Sequence, residues 1–325
     1  MQAIGIDIGG TKIAGGLVDE FGAVTGYTRV PTDAADPAAL ETSVVEMVRG
    51  LAAGRSLPVG VAAAGFVDAG QSVVYYAPNI RWRNEPFRQH LEGRLDLPVV
   101  IENDANAAGW AEFRYGAGRL VSDMVMITSG TGVGGAIVTD DRLMRGGFGV
   151  AGEIGHLRVV PGGLPCGCGA HGCIEQYGSG RALQRMANEI ADGGGIGVPL
   201  ALARKAAGGK LNGGVIARLV AEDDPGALAA LRQLGGWLGQ AMASLAAVLD
   251  PQLFVVGGGV ASSGEKLLGP IRAAFLDHLP ARGYHPEPAF AVAELGNDAG
   301  VVGAADLARL HFGGHQGEYS PSGRA

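Results

Sequence analysis

Two short glycine-rich segments carry the residue types that bind phosphate. DIGGTK (residues 7–12) and TSGTGVGG (residues 128–135) each read as a tight hairpin that exposes successive backbone N–H groups. In the first, Gly9 and Gly10 shape the turn, Thr11 adds a hydroxyl and Lys12 a positive charge. In the second, Gly130 and Gly132 flank Thr131. Such nests suit phosphate oxygens. Asp7, at the end of its strand, is placed to hold Mg2+ through water. A third cluster, Gly257 and Gly258 with Gly259, follows an apolar run and would let a nucleotide base or ribose approach the backbone closely. Taken singly, each turn also reads as a plain structural hairpin or loop.

In VVIENDANAAGWAEF a buried strand runs into a helix, with Asn103 and Asp104 at the junction. A carboxylate there either caps the free helix amides or serves as a general base. Phosphoryl transfer to an alcohol needs such an acceptor for the hydroxyl proton. Asn103, and Asn79 in APN at another strand end, offer hydrogen bonds to neighbouring hydroxyls. The only three cysteines of the chain, Cys166, Cys168 and Cys173, fall in PCGCGAHGC. Their odd number and the Cys-x-Cys spacing argue against a disulfide framework.

Two other nucleotide chemistries are disfavoured. Gly130, Gly132 and Gly135, with Glu153 downstream, match the dinucleotide spacing, but that fingerprint must open a helix. The apolar, β-branched AIVTD follows instead. No Gly-x-x-x-x-Gly-Lys-Ser/Thr segment is present, so a P-loop kinase is not supported.

The elements that position these residues read as α/β. Strands are predicted over 3–8, 13–18, 24–30, 58–64, 73–76 and 98–102, and helices over 37–51, 87–94 and 103–115. At Met124 the plan restarts: strand, glycine turn and strand repeat the design of the N-terminal segment. Two halves of one design suggest a duplicated fold with a ligand cleft between them. The second half holds a glycine-rich insert, 191–214, expected to be a mobile loop. Helices are predicted at 225–249, 265–279 and 299–310, and strands at 253–256 and 290–295. Residues 313–325 read as a frayed tail.

Composition bounds the function. Glycine supplies 57 of 325 residues, more than double the usual ~7%, and it clusters at strand–turn junctions where ligands approach. The net charge of −7 offers no basic stripe for nucleic acid. No secretory signal and no convincing membrane span are seen, so a cytoplasmic protein without membrane or nucleic-acid partners is expected.

Five motifs in order carry a family resemblance: Asp7-Ile-Gly-Gly-Thr-Lys, Glu102-Asn-Asp-Ala-Asn, Gly130-Thr-Gly-x-Gly-Gly, Gly152-Glu-Ile-Gly-His156 and Cys166-x-Cys-Gly-x-x-Gly-Cys-x-Glu175. Over residues 4–310 the chain resembles ROK-family sugar kinases, and among them bacterial glucokinases. The resemblance implies the actin-like, ribonuclease-H-like ATPase fold, two α/β domains flanking a nucleotide and sugar cleft. It is laid out here as 1–118, joined by the C-terminal helix 298–312, and 119–297 with the cysteine loop. It implies ATP as donor with Mg2+, glucose as acceptor, and Asp104 as base for the 6-hydroxyl. Sugar contacts are implied for Asn79, Asn103, Asp104, Glu153, His156 and Glu175. A structural Zn2+ is implied on His156, Cys166, Cys168 and Cys173, with His171 as the rival fourth ligand. Three thiolates and one imidazole make a closed tetrahedral site with no open position for catalysis. A homodimer or homotetramer is the family's habit.

Three alternatives belong beside this reading. The same scaffold phosphorylates other hexoses, such as N-acetylmannosamine, mannose or fructose. Polyphosphate is a possible donor. A sugar-responsive repressor is disfavoured, because those relatives carry a DNA-binding domain before the first phosphate motif, which here begins at Asp7.

Overall fold

The structure is a computed structural model and describes residues 1–313. The chain divides into two compact units. The first comprises Met1–Ser122, Ala136–Gly152 and the chain from Glu294 onward; the second comprises Asp123–Gly135 and Glu153–Ala293.

The first unit opens with β1 (Ala3–Ile8), β2 (Lys12–Val18) and β3 (Val24–Pro31), then α1 (Pro37–Ala52) and β4 (Val59–Ala63). Three short strands follow, β5 (Phe66–Val67), β6 (Val74–Tyr76) and β7 (Arg83–Glu85). After them come α2 (Phe87–Leu95), β8 (Val99–Asn103) and α3 (Asp104–Tyr115). The main sheet has the order β3-β2-β1-β4-β8. β1 to β3 pair antiparallel, and β1, β4 and β8 run parallel. Parallel central strands are covered on both faces, so AIGIDI and VGVAA are almost wholly buried. On one face α1 lays Leu40, Val44, Val48 and Leu51 against Ile6, Ile8 and Ile13. Asp36 starts that helix by accepting from the amides of Ala38 and Ala39 at 3.0 and 3.1 Å, with Pro37 in the first turn.

On the other face lies the last helix, Ala299–Phe312, which touches the sheet backbone to backbone. A Cβ on Gly5 would sit 1.9 Å from the Val301 carbonyl oxygen, and one on Gly60 1.8 Å from that of Ala304. The buried Asp306 of this helix accepts from Trp110 Nε1 at 2.8 Å and from the Tyr115 hydroxyl at 2.6 Å, tying it to α3.

The second five-stranded sheet begins with β9 (Met124–Ser129), β10 (Val133–Thr139) and β11 (Arg142–Leu143). Helices α4 (Glu175–Gly178), α5 (Gly180–Asp192), α6 (Val198–Ala206), α7 (Gly213–Ala221) and α8 (Pro225–Leu249) follow. Then come β12 (Leu253–Gly257), α9 (Glu265–His278) and β13 (Ala289–Val292), and Ala299–Phe312 completes the series as α10. The sheet order β11-β10-β9-β12-β13 repeats the plan of the first sheet, with β9, β12 and β13 parallel.

Three expectations need amending. The insert 191–214 is not a bare loop: α6 occupies its centre, with Leu200 fully buried and Arg204 bonded to Asn188 and Asp192. The strand expected at 290–295 is Ala289–Val292. Residues 136–152, which the sequence reading left in the second domain, group with the first unit. They dock there through Arg145, whose Nε lies 2.7 Å from Glu102, and through Gly149, packed against Asp68 and Ala69. Beyond Gly313, the expected tail lies outside the described residues. Among the described residues, no helix is long and apolar enough to cross a membrane.

Candidate active-site and metal-centre residues

In the first unit, β1 delivers Asp7 to the edge of the Gly9–Lys12 turn. The turn closes on itself, with the Gly9 amide donating to the Lys12 carbonyl at 3.0 Å. Gly10 lies beside the side chain of Asn79, which sits in the β6–β7 turn. Asp7 also abuts the first turn of α10: a Cβ on Gly300 would be 2.7 Å from its carboxyl carbon. Burial pushes the Asp7 carboxyl up to about 6, the negative charge of Asp104 adds to this, and Lys12 opposes it. Asp7 and Asp104, distant in sequence, therefore face one electrostatic environment.

At the β8–α3 junction the capping role falls to Asn103. Asn103 is the N-cap: its Oδ1 accepts from the Asn106 amide at 2.9 Å, and its Nδ2 donates to the Gly65 carbonyl at 3.0 Å. Asp104 is thus the first helical residue, and its carboxylate accepts from the Ala105 amide at 2.9 Å. Its pKa is raised by burial, partly offset by the amides of Ala105 and Asp104. A carboxylate with raised proton affinity at a helix start is suited to accept a proton.

Glu102 holds this junction in place and escaped the sequence reading as a site residue. It is buried and accepts from Gln71 Nε2, the Asn103 amide, Asn106 Nδ2 and Arg145 Nε, at 3.1, 3.0, 3.1 and 2.7 Å. A charged residue at the end of the apolar run Val99-Val100-Ile101 is the signal that could have found it. Its partners, scattered from 71 to 145, could not be found that way.

In the second unit, the turn after β9 is built on close backbone approach. Gly258 (φ +83) rests on Ser129, where a Cβ would meet the carbonyl oxygen at 2.4 Å. The amide of Gly180, at the start of α5, donates to the Gly130 carbonyl at 2.7 Å. Ser129, also absent from the sequence reading, is fully buried and donates to the Gly178 carbonyl at 2.7 Å. The structure therefore brings Gly130, Gly257 and Gly258 together, with Thr131 exposed at the tip. Glu175 reaches the same turn: its Oε2 accepts from the Val133 amide at 3.3 Å, in space that a side chain on Gly132 would fill.

Glu175 also borders the cysteine cluster, with Oε1 3.8 Å from Cys166 Sγ. The cysteine loop folds on itself through Cys166 N to Ala170 O at 2.8 Å and Gly172 N to Leu164 O at 2.8 Å. Cys168 Sγ lies 3.7 Å from Cys173 Sγ, and Cys166 Sγ lies 3.7 Å from His156 Nδ1. All four ligand atoms fall within 4.8 Å of one another. Ligands about 2.3 Å from a tetrahedral zinc stand about 3.8 Å apart, so the donor set and its spacing fit that ion. The fourth member of the group is His156; His171 is exposed and outside it. The other ring nitrogen of His156, Nε2, faces Glu153 Oε2 at 4.0 Å. One ring nitrogen thus faces the sulfurs and the other faces a carboxylate.

The model of the ROK family matches residues 3–310. A glucokinase of Streptomyces coelicolor is 46% identical over 309 residues, covering 94% of this chain and 97% of that protein. A glucokinase of Halalkalibacterium halodurans is 36% identical, covering 94% of each. Among solved structures, a ROK family glucokinase from Streptomyces griseus in complex with glucose and AMPPNP superposes with a TM-score of 0.85 at 45% identity, over 95% of this chain and 99% of that one.

Proposed function

The chain belongs to the ROK family, and on that premise we propose that it transfers the terminal phosphoryl group of ATP to the 6-hydroxyl of glucose, giving glucose 6-phosphate and ADP. Its fold is that of the actin-like ATPases, as in the structurally similar sugar kinases. The observation that carries the reading is Asp104 at the first position of α3. It is freed from capping by Asn103 and raised in proton affinity by burial.

In the reaction, Asp104 takes the proton from the 6-hydroxyl as that oxygen bonds the γ-phosphorus. The bond from the γ-phosphorus to the bridging oxygen breaks, and ADP leaves with the electron pair. The amides of Gly10 and Thr11 and the charge of Lys12 suit phosphate oxygens in the first unit, while the Gly9 amide closes the turn on the Lys12 carbonyl. Thr131 and Gly132 offer the same in the second, where the Gly130 amide closes the turn on the Gly132 carbonyl, and Gly257 and Gly258 admit the nucleoside. Asp7 would hold Mg2+, which would supply positive charge to the phosphates. Asn79 and Asn103 in the first unit, and Glu153, His156 and Glu175 in the second, are the sugar-binding set. Zinc on His156, Cys166, Cys168 and Cys173 supplies order to a loop that has little apolar content of its own. The enzyme works as a cytoplasmic homodimer or homotetramer. The net charge of −7 supports the absence of a nucleic-acid partner.

A coupled assay over glucose, mannose, fructose and N-acetylmannosamine, with ATP and polyphosphate as donors, tests the assignment. Glucose with ATP is expected to give the highest kcat/KM. A higher value for another sugar moves the function to that sugar, and turnover with polyphosphate alone replaces the donor.

A further inference from the structure

Thr32 lies outside every glycine motif. It follows the last residue of β3 and stands opposite Thr11, one step beyond the Lys12–Pro31 pair of the β2–β3 ladder. From there it makes two bonds to the first glycine turn. Its amide donates to the Thr11 carbonyl at 3.1 Å, and its Oγ1 donates to the Gly9 carbonyl at 2.8 Å.

Those two carbonyls fix two peptide planes. In a trans peptide the N–H points away from the C=O. Holding the Gly9 carbonyl therefore aims the Gly10 amide outward, and holding the Thr11 carbonyl orients the Lys12 amide. The Lys12 carbonyl is already taken by the Gly9 amide. Among the described residues, the amides of Gly10 and Thr11 donate to no protein acceptor. The turn thus directs carbonyls toward the protein and leaves N–H groups for an anion.

Glycine is the residue least able to hold such a plane alone, and Gly9-Gly10 flank the one that the Thr32 hydroxyl secures. A flip of that plane would replace a donor with a carbonyl oxygen and repel phosphate. We infer that Thr32 is a positioning residue for the phosphoryl donor, its hydroxyl holding the Gly9–Gly10 peptide so that the Gly10 amide faces the phosphates. This rests on the donor-binding reading of the turn.

Calorimetric titration with AMPPNP and Mg2+, without sugar, tests it alongside steady-state kinetics. Thr32→Val keeps the shape and removes the hydroxyl. It is expected to weaken AMPPNP binding and raise the KM for ATP about tenfold, the scale of one oriented hydrogen bond, with the KM for glucose within about twofold. Thr32→Ser should restore donor affinity. Should valine fail to pack, Thr32→Ala measured against Thr32→Ser makes the same comparison. Unchanged AMPPNP affinity in the variant lacking the hydroxyl, or equal rises in the two KM values, overturns the inference. A wild-type chain that binds AMPPNP yet leaves glucose unphosphorylated refutes the glucose reading and leaves the Thr32 comparison intact. One that binds no AMPPNP overturns the donor reading and the role of Thr32 with it.

Discussion

At the residue scale, one carboxylate and one cluster of candidate metal ligands set what can be measured. Asp7 holds its proton more tightly in the folded chain, at about 6, than in an unfolded one, at about 4. Its contribution to stability is therefore complete below about pH 4 and is lost as the pH climbs through about 6. Asp7→Asn, which fixes the neutral form, should raise Tm at pH 8 and leave it unchanged at pH 4; thermal unfolding at the two pH values checks this. At the cysteine loop, Cys168→Ser should remove stoichiometric zinc, lower Tm, and raise the KM for glucose more than that for ATP. The coupling runs through Glu175, which borders Cys166 and is a proposed sugar ligand. Elemental analysis decides the first point: fully active protein without zinc would remove the metal's role. Zinc retained in His156→Ala and lost in His171→Ala would move the fourth ligand.

At the scale of elements, the glycines that matter most to the scaffold are those that bring α10 down onto the sheet. Gly60→Ala places a methyl group against the Ala304 carbonyl, which belongs to a helix backbone and has little room to yield. Overpacking of this kind costs about 1–3 kcal/mol. Chemical denaturation should show a lower midpoint with an unchanged slope, and a midpoint equal to wild type would mean that the helix shifts freely. Such close approaches cannot be read from sequence, because nothing local distinguishes Gly60 from a glycine in a turn. The glycine hairpins and the β8–α3 junction were legible because their chemistry is local: strand, turn, donor. Helix α6 was not, because the glycines around it masked a short VPLALARKA segment whose Leu200 finds its core only in the fold. The ring of donors around Glu102 was hidden for the same reason, as Gln71 and Arg145 reach it from far along the chain.

At the scale of the whole molecule, the repeated sheet order was visible as a restart of the strand–turn–strand pattern at Met124, since each half opens its sheet with its own glycine-turned strand pair. The grouping of residues 136–152 with the first unit was not visible, because it depends on an ion pair between Arg145 and Glu102. The claim that joins all scales is that Asp104 is the base of a glucose-phosphorylating reaction. Its raised proton affinity places the acid limb of kcat/KM above the usual range of an aspartate, near 4. The most direct measurement is kcat for glucose 6-phosphate formation by Asp104→Asn, with glucose and AMPPNP binding followed by calorimetry. Binding should persist and the fold should hold, since Asn103 supplies the helix cap. Turnover should fall about 10²–10⁴-fold, the usual cost of losing a general base. A kcat near that of the wild type would contradict this role and leave Asp104 a structural residue.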